Sequence, residues 1–203
     1  MIGMPYPVED ILRELEKDKV LIETSGGGVT LSGGEPAAQP EFTAQLLEAL
    51  KERGYHTALD TCGHAPWGTL QKLLVHTDLV LYDLKHMDPE THEQLTGRNN
   101  ELIISNLKRI SASGVPAIIV RIPLIPGYND SDGHLKRTSQ FLSSLRIETV
   151  ELLPYHRLGV PKYEALGRDY SLSHVVPYER ERLLEIRALF SGFGLKTVLE
   201  GVD

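Results

Sequence analysis

Short apolar, β-branched runs recur along this chain, separated by stretches in which apolar residues return every three or four positions. Val29-Thr30-Leu31, Thr57-Ala58-Leu59, Leu79-Val80-Leu81-Tyr82, Ala117-Ile118-Ile119-Val120 and Val150-Glu151-Leu152-Leu153 read as strands, with a short closing strand over Lys196 to Leu199. Helices fall between them. From Glu41 to Arg53, Phe42, Leu46, Ala49 and Leu50 share one face, and Gly54 follows as a stop. Asn99 to Ser113 turns Leu102, Ile103, Leu107 and Ile110 inward, with Gly114 beyond. Ser131 to Leu145 and Tyr178 to Phe190 supply two more helices. Val8, Ile11, Leu12 and Leu15 predict an amphipathic helix ahead of any strand.

Near-continuous apolar strands separated by helices predict an α/β fold with a parallel sheet. The strand spacing, roughly 25 to 40 residues, suits right-handed βαβ crossovers. No linker or low-complexity tract interrupts the pattern, so residues 1–203 read as a single domain. The alternation by itself leaves a barrel and an open doubly wound sheet equally available. A helix that opens a βα series is natural where a preceding strand is missing. Val29-Thr30-Leu31 would then be an exposed sheet edge.

Charge and cysteine content narrow the setting. Lys and Arg total 21 against 28 Asp and Glu, a net charge of −7 with histidines neutral. That balance argues against a nucleic-acid partner, whose phosphates need Lys and Arg. No run approaches 18 apolar residues, so no membrane span is expected. Met1 to Glu9 lacks the basic-then-apolar order of a secretory signal. One cysteine, Cys62, excludes an internal disulfide and fits a reducing cytoplasm.

Ligands of parallel βα proteins bind beyond the carboxyl ends of the strands. Polar residues gather at those ends: Ser32-Gly33-Gly34-Glu35-Pro36, Asp60-Thr61-Cys62-Gly63, Asp83-Leu84-Lys85, Arg121-Ile122-Pro123 and Pro154-Tyr155-His156. Paired glycines let backbone approach a ligand, and the carboxylate after them suits an ammonium group. Asp60 and Asp83 suit a cation or a hydroxyl, or else cap the helices that follow. Lys85 is placed to pair with Asp83. His156 reads equally as a surface histidine.

In order and spacing, Val29 to Pro36, Asp60 to Gly63, Tyr82 to Asp88, Arg121 to Gly127 and Glu151 to His156 make the chain resemble one family. These are the radical S-adenosylmethionine activating enzymes of glycyl radical enzymes, the family of pyruvate formate-lyase activase. The likeness runs from about Tyr6 onward. It implies a partial parallel (β/α) barrel of the radical SAM type, here missing the first strand of the usual six. It implies that Gly33, Gly34 and Glu35 hold the methionine amino group of S-adenosylmethionine. Asp83, Leu84 and Lys85 match a second binding segment, and His156 matches a residue contacting the same ligand. Asp60, Thr61 and Asp83 match positions proposed for a monovalent cation beside the methionine carboxylate. Arg121 stands where it would meet a carboxylate of cofactor or substrate. In that family a [4Fe–4S] cluster passes one electron to the sulfonium, and the resulting 5′-deoxyadenosyl radical takes a hydrogen from a backbone glycine of a partner enzyme. The implied partners are a glycyl radical enzyme and an electron donor such as flavodoxin or ferredoxin. Tyr128, Asn129, Asp130 and the segment from Arg157 to Asp169 lie where a partner peptide would dock.

The family binds its cluster through C-x3-C-x2-C, which this sequence lacks. A lone Cys62 does not replace it. The expectation is therefore a fragment of a longer protein, inactive by itself. Two rivals stand beside this reading. Asp83-Leu84-Lys85-His86-Met87-Asp88 also fits D-x-K-x-x-D, the charged array of (β/α)8-barrel decarboxylases of the orotidine monophosphate type, in which the lysine protonates a carbanion. That reading leaves Gly33-Gly34-Glu35 and Pro154-Tyr155-His156 without a role. The second is a non-catalytic domain that binds S-adenosylmethionine or a partner enzyme.

Overall fold

The structure is a computed structural model describing residues 6–158 and 160–201. Its helices are α1 (Val8–Ser25), α2 (Pro40–Glu52), α3 (Trp67–Leu74), α4 (Pro89–Thr96), α5 (Glu101–Ser113), α6 (Asp132–Ser143), α7 (Val160–Ala165) and α8 (Arg180–Gly192). The strands are β1 (Val29–Leu31), β2 (Thr57–Thr61), β3 (Leu79–Asp83), β4 (Ala117–Leu124), β5 (Thr149–Pro154) and β6 (Thr197–Leu199). Each of the six sequence-predicted strands forms. No helix among the described residues is long and apolar enough to cross a membrane.

The chain divides into two compact units, residues 6–82 with Leu102–Ala117, and Asp83–Glu101 with 118–201. In the first, β1 pairs parallel with β2 (Leu31 opposite Leu59), and β2 pairs parallel with β3 (Thr61 opposite Tyr82). The only strand β1 pairs with among the described residues is β2, so it is the edge that the sequence predicts. Helix α1 runs ten residues past Leu15, where the clear apolar stripe ends. Ile22 resumes the stripe two turns on, and Lys19 fills the step between with its ammonium 5.6 Å from the Tyr55 ring centre. Leu46 and Leu50 of α2 close over Leu12 and Tyr55 on this side. Leu47 of α2 turns instead to Leu59 of β2 and to Leu70 and Leu73 of α3.

Tyr82 lies fully buried at the end of β3 and donates its hydroxyl to the Ile103 carbonyl at 2.7 Å. Burial raises its pKa further above the usual phenol range. Its ring occupies the space where a side chain on Gly63 would lie, and Gly63 also sits at φ +69°. That position therefore excludes every other residue on two grounds, volume and backbone.

In the second unit β4 pairs parallel with β5 (Val120 opposite Val150), and β5 with β6 (Val150 opposite Thr197). Ile118, Val120, Ile122 and Leu124 alternate inward along β4 and are at most 2% exposed. Helices α6 and α8 pack together, bringing in the buried Leu135, Leu142, Ile186 and Phe190. Helix α4 has no counterpart in the apolar pattern. It is eight residues long, begins on an Asp88 cap that accepts from the Thr91 amide at 2.8 Å, and ends on Gly97 at φ +80°. Its one buried residue is His92. Caps rather than an apolar stripe define this helix.

Gly63→Ala is expected to cost about 2 to 4 kcal/mol, the sum of an overpacked core and a strained φ. Urea unfolding monitored by circular dichroism measures it; a loss below about 0.5 kcal/mol would contradict the packing described.

Candidate functional site

The exits of β1 and β2 are joined through one carboxylate. Glu35 Oε1 accepts from Thr61 Oγ1 at 2.7 Å and from the Ala37 amide at 3.1 Å, while Oε2 accepts from the Cys62 amide at 2.9 Å. The Cys62 thiol adds a further bond. Thr61 Oγ1 in turn accepts from the Gly63 amide at 3.0 Å. Burial pushes the Glu35 carboxyl up, but the bonds from Cys62, Thr61 and Ala37 outweigh it and hold the group below its ordinary value of 4.5. Glu35 also caps the 3-10 turn Pro36–Ala38. The carboxylate that the sequence offers to an ammonium group thus spends its lone pairs on this weld. Gly33 and Gly34 beside it are exposed, Gly33 at φ +122°, with open space where a side chain would project. Backbone there is free to meet a ligand. Asp60 accepts from Ser32 Oγ at 2.8 Å and is no helix cap.

The second unit holds a charged group at the ends of β3 and β4. Arg121 directs Nε (3.1 Å) and one terminal nitrogen (2.8 Å) at Asp83 Oδ1, and Lys85 Nζ stands 3.4 Å from Oδ2. Two cations thus converge on one carboxylate at the tip. Leu84, between them, is 2% exposed; its side chain belongs to the core and its amide donates to the Arg121 carbonyl at 2.9 Å. His156 lies exposed beyond β5, where Nδ1 accepts from the Leu158 amide at 3.2 Å and Nε2 is left for a ligand.

Three expectations are corrected here. The Asp83-Lys85-Asp88 array does not assemble, because Asp88 Oδ1 takes both the amide and the hydroxyl of Thr91 as the cap of α4. Among the described residues Lys85 pairs with Asp83 alone. Asn129 is not at a docking surface: it is 4% exposed, with its amide turned onto Lys85 and Pro123. Arg157 is pinned back, donating to the Ser173 and Val175 carbonyls at 3.1 and 2.9 Å. Within the same predicted docking segment Gly159 lies outside the described residues. Tyr128 is half-buried, and Asp130 accepts from the Gly127 amide at 2.8 Å. Among the described residues no group of three or more His, Cys, Asp or Glu is placed to hold a metal ion.

Side chains that the sequence reading passed over back the Leu84–Asp88 loop. His86 stacks on His134 of α6, ring centres 4.0 Å apart and 11° from parallel. Burial drives His134 down to about 4, helped by the neighbouring His86 and Arg137 against the opposing pull of Asp88.

Residues 3–138 match the model of the Radical SAM superfamily. The chain belongs to the radical SAM superfamily. It is 40% identical over 204 residues to a trans-4-hydroxy-L-proline dehydratase activating enzyme of Clostridioides difficile, covering 99% of this chain and 67% of that protein. It is 43% identical over 176 residues to an isethionate sulfite-lyase activating enzyme of Oleidesulfovibrio alaskensis, covering 86% and 56% respectively. The radical SAM chain thus spans between about half and two thirds of the length of these relatives. A solved domain of pyruvate-formate lyase-activating enzyme from Bacteroides vulgatus superposes with a TM-score of 0.73 at 32% identity, covering 86% of this chain and 99% of that one. The parallel α/β architecture is therefore that of the radical SAM partial barrel.

Glu35→Gln puts an amide N–H against donors and is expected to cost about 1 to 3 kcal/mol in urea unfolding. Because the folded pKa of Glu35 lies below 4.5, its contribution is present above that pH and disappears as the pH falls through the folded value. The wild type and Glu35→Gln should therefore converge in stability at low pH; a gap that stays constant from pH 7 to 3 refutes this. For His134, the unfolded chain takes up a proton near 6.5 and the folded one near 4, so stability should decline progressively across that window on acidification. His134→Phe, which keeps the stack and cannot titrate, should flatten that part of the pH profile of the urea midpoint.

Proposed function

We propose that this chain is the S-adenosylmethionine-binding core of a glycyl radical enzyme activating enzyme. One observation carries the reading: Arg121 and Lys85 share the Asp83 carboxylate at the ends of β3 and β4, in a chain 40% identical to such an activating enzyme. The donor set fits the cofactor. Asp83 orients the two cations, and a guanidinium or ammonium donor there suits the methionine carboxylate. The exposed Gly33-Gly34 backbone offers acceptors for its ammonium, with Glu35 holding that turn from behind. His156 Nε2 offers a further polar contact. In the whole activating enzyme of this reading the bound cofactor, reduced by one electron from a donor of the flavodoxin or ferredoxin kind, would supply the radical that takes a hydrogen from a glycine of the partner.

The cluster is a different matter. A three-thiolate site needs three cysteines, and this chain has one, already bonded to Glu35 through its amide and its thiol. The residues present do not fit a [4Fe–4S] cluster. The reading for this polypeptide is therefore cofactor binding without turnover.

Isothermal titration of the folded chain with S-adenosylmethionine should show saturable binding, weakened about tenfold or more by Arg121→Ala, the loss of one charge-assisted contact. A folded chain that does not bind sinks the proposal. Anaerobic reconstitution with iron and sulfide should leave no stoichiometric cluster and no cleavage of the cofactor; both appearing would overturn the second half of it.

A further inference from the structure

We infer that Asn129 is a positioning residue for the Asp83–Lys85 tip, acting with Asn100, and that it ties the two chain segments together one residue beyond the ladder rung that proline removes. The inference rests on the cofactor-binding reading above for its consequence, but its geometry stands independently. The Leu84 amide donates to the Arg121 carbonyl at 2.9 Å. A parallel ladder would continue with residue 123 donating back to the Leu84 carbonyl, but residue 123 is proline and has no N–H. Backbone pairing stops there, just where Lys85 must be held.

Asn129 takes over. Its Nδ2 donates to the Lys85 carbonyl at 3.0 Å and to the Pro123 carbonyl at 2.6 Å, and its Oδ1 accepts from the Ile125 amide at 2.8 Å. The partners fix the orientation of the amide: two carbonyls only accept, and one N–H only donates. Both hydrogens and the oxygen are in use, at a residue 4% exposed. Asn100, 1% exposed, continues the pattern by donating Nδ2 to the His86 and Met87 carbonyls, each at 2.8 Å. Three consecutive carbonyls, those of residues 85, 86 and 87, are thus bound by two buried amides. Without them the loop carrying Lys85 would have unmatched acceptors in the protein interior and would move to find water. Lys85 would then leave the carboxylate it shares with Arg121.

The test compares the full chain with Asn129→Ala, Asn129→Asp and the core control Leu142→Ala, a buried α6 residue away from the loop. Amide hydrogen exchange reads the loop without any cofactor. The Leu84 amide should exchange about tenfold faster in Asn129→Ala, and faster still in Asn129→Asp, whose carboxylate would face two carbonyls. Leu142→Ala should not single it out. Calorimetric affinity for S-adenosylmethionine should fall about tenfold or more in both Asn129 variants and remain unchanged in folded Leu142→Ala. Leu84 exchange that matches the wild type overturns the inference. Faster exchange with undiminished affinity overturns the link from loop to cofactor. If the wild type itself does not bind, the cofactor reading falls, and the exchange data still decide the role of Asn129.

Discussion

Parallel strands that end in loops leave backbone donors and acceptors with no rung to join, and in this chain buried and half-buried side chains bind those groups at the exits of β1, β2 and β3. Glu35 does this with acceptors, drawing in Ala37, Thr61 and Cys62 across the exits of β1 and β2. Asn129 and Asn100 do it with donors along residues 85 to 87. Asn106 repeats the device on the loop after β2, donating to the Gly63 and Ala65 carbonyls at 2.8 and 2.9 Å. An unmatched buried carbonyl or amide costs more than a made bond returns, so these contacts constrain the loops more strongly than their modest net stabilisation suggests.

Charge is arranged on top of that scaffold. Arg121 reaches Asp83 through two nitrogens, a geometry that a lysine at the same position would not reproduce. Lys85 is half-exposed at the rim of the same carboxylate and free to turn toward an arriving anion. Unit one contributes a different surface, open glycine backbone with its carboxylate turned inward. The superfamily match covers residues 3–138 and so includes both groups.

The strands, the parallel architecture and the helices over α2, α5, α6 and α8 were legible in the sequence, because each rests on an apolar period that burial enforces. The strand-end motifs were legible for a related reason: in a βα fold, residues at carboxyl ends of strands are set by topology before any packing is known. Helices α3 and α4 were not legible. Each is eight residues long, and α4 stands on its Asp88 and Gly97 caps with a single buried residue. How each acidic residue is engaged was also hidden. Asp83 and Asp88 look alike along the chain, yet one faces two cations and the other caps a helix.

What the sequence alone determined is therefore periodic or positional: apolar repeats, turn glycines, a net charge of −7, one cysteine and an ordered set of motifs. What only the tertiary structure decided is how individual polar atoms are spent. Glu35 is bonded inward to Ala37, Thr61 and Cys62, Asn129 is buried as a tie between Lys85 and Pro123, and Gly63 became obligatory because Tyr82 fills its side-chain space. The reason is physical. Hydrophobic burial depends on pattern and tolerates averaging, whereas a hydrogen bond depends on one donor meeting one acceptor within a few tenths of an ångström, and the partners here lie up to 44 residues apart in the chain.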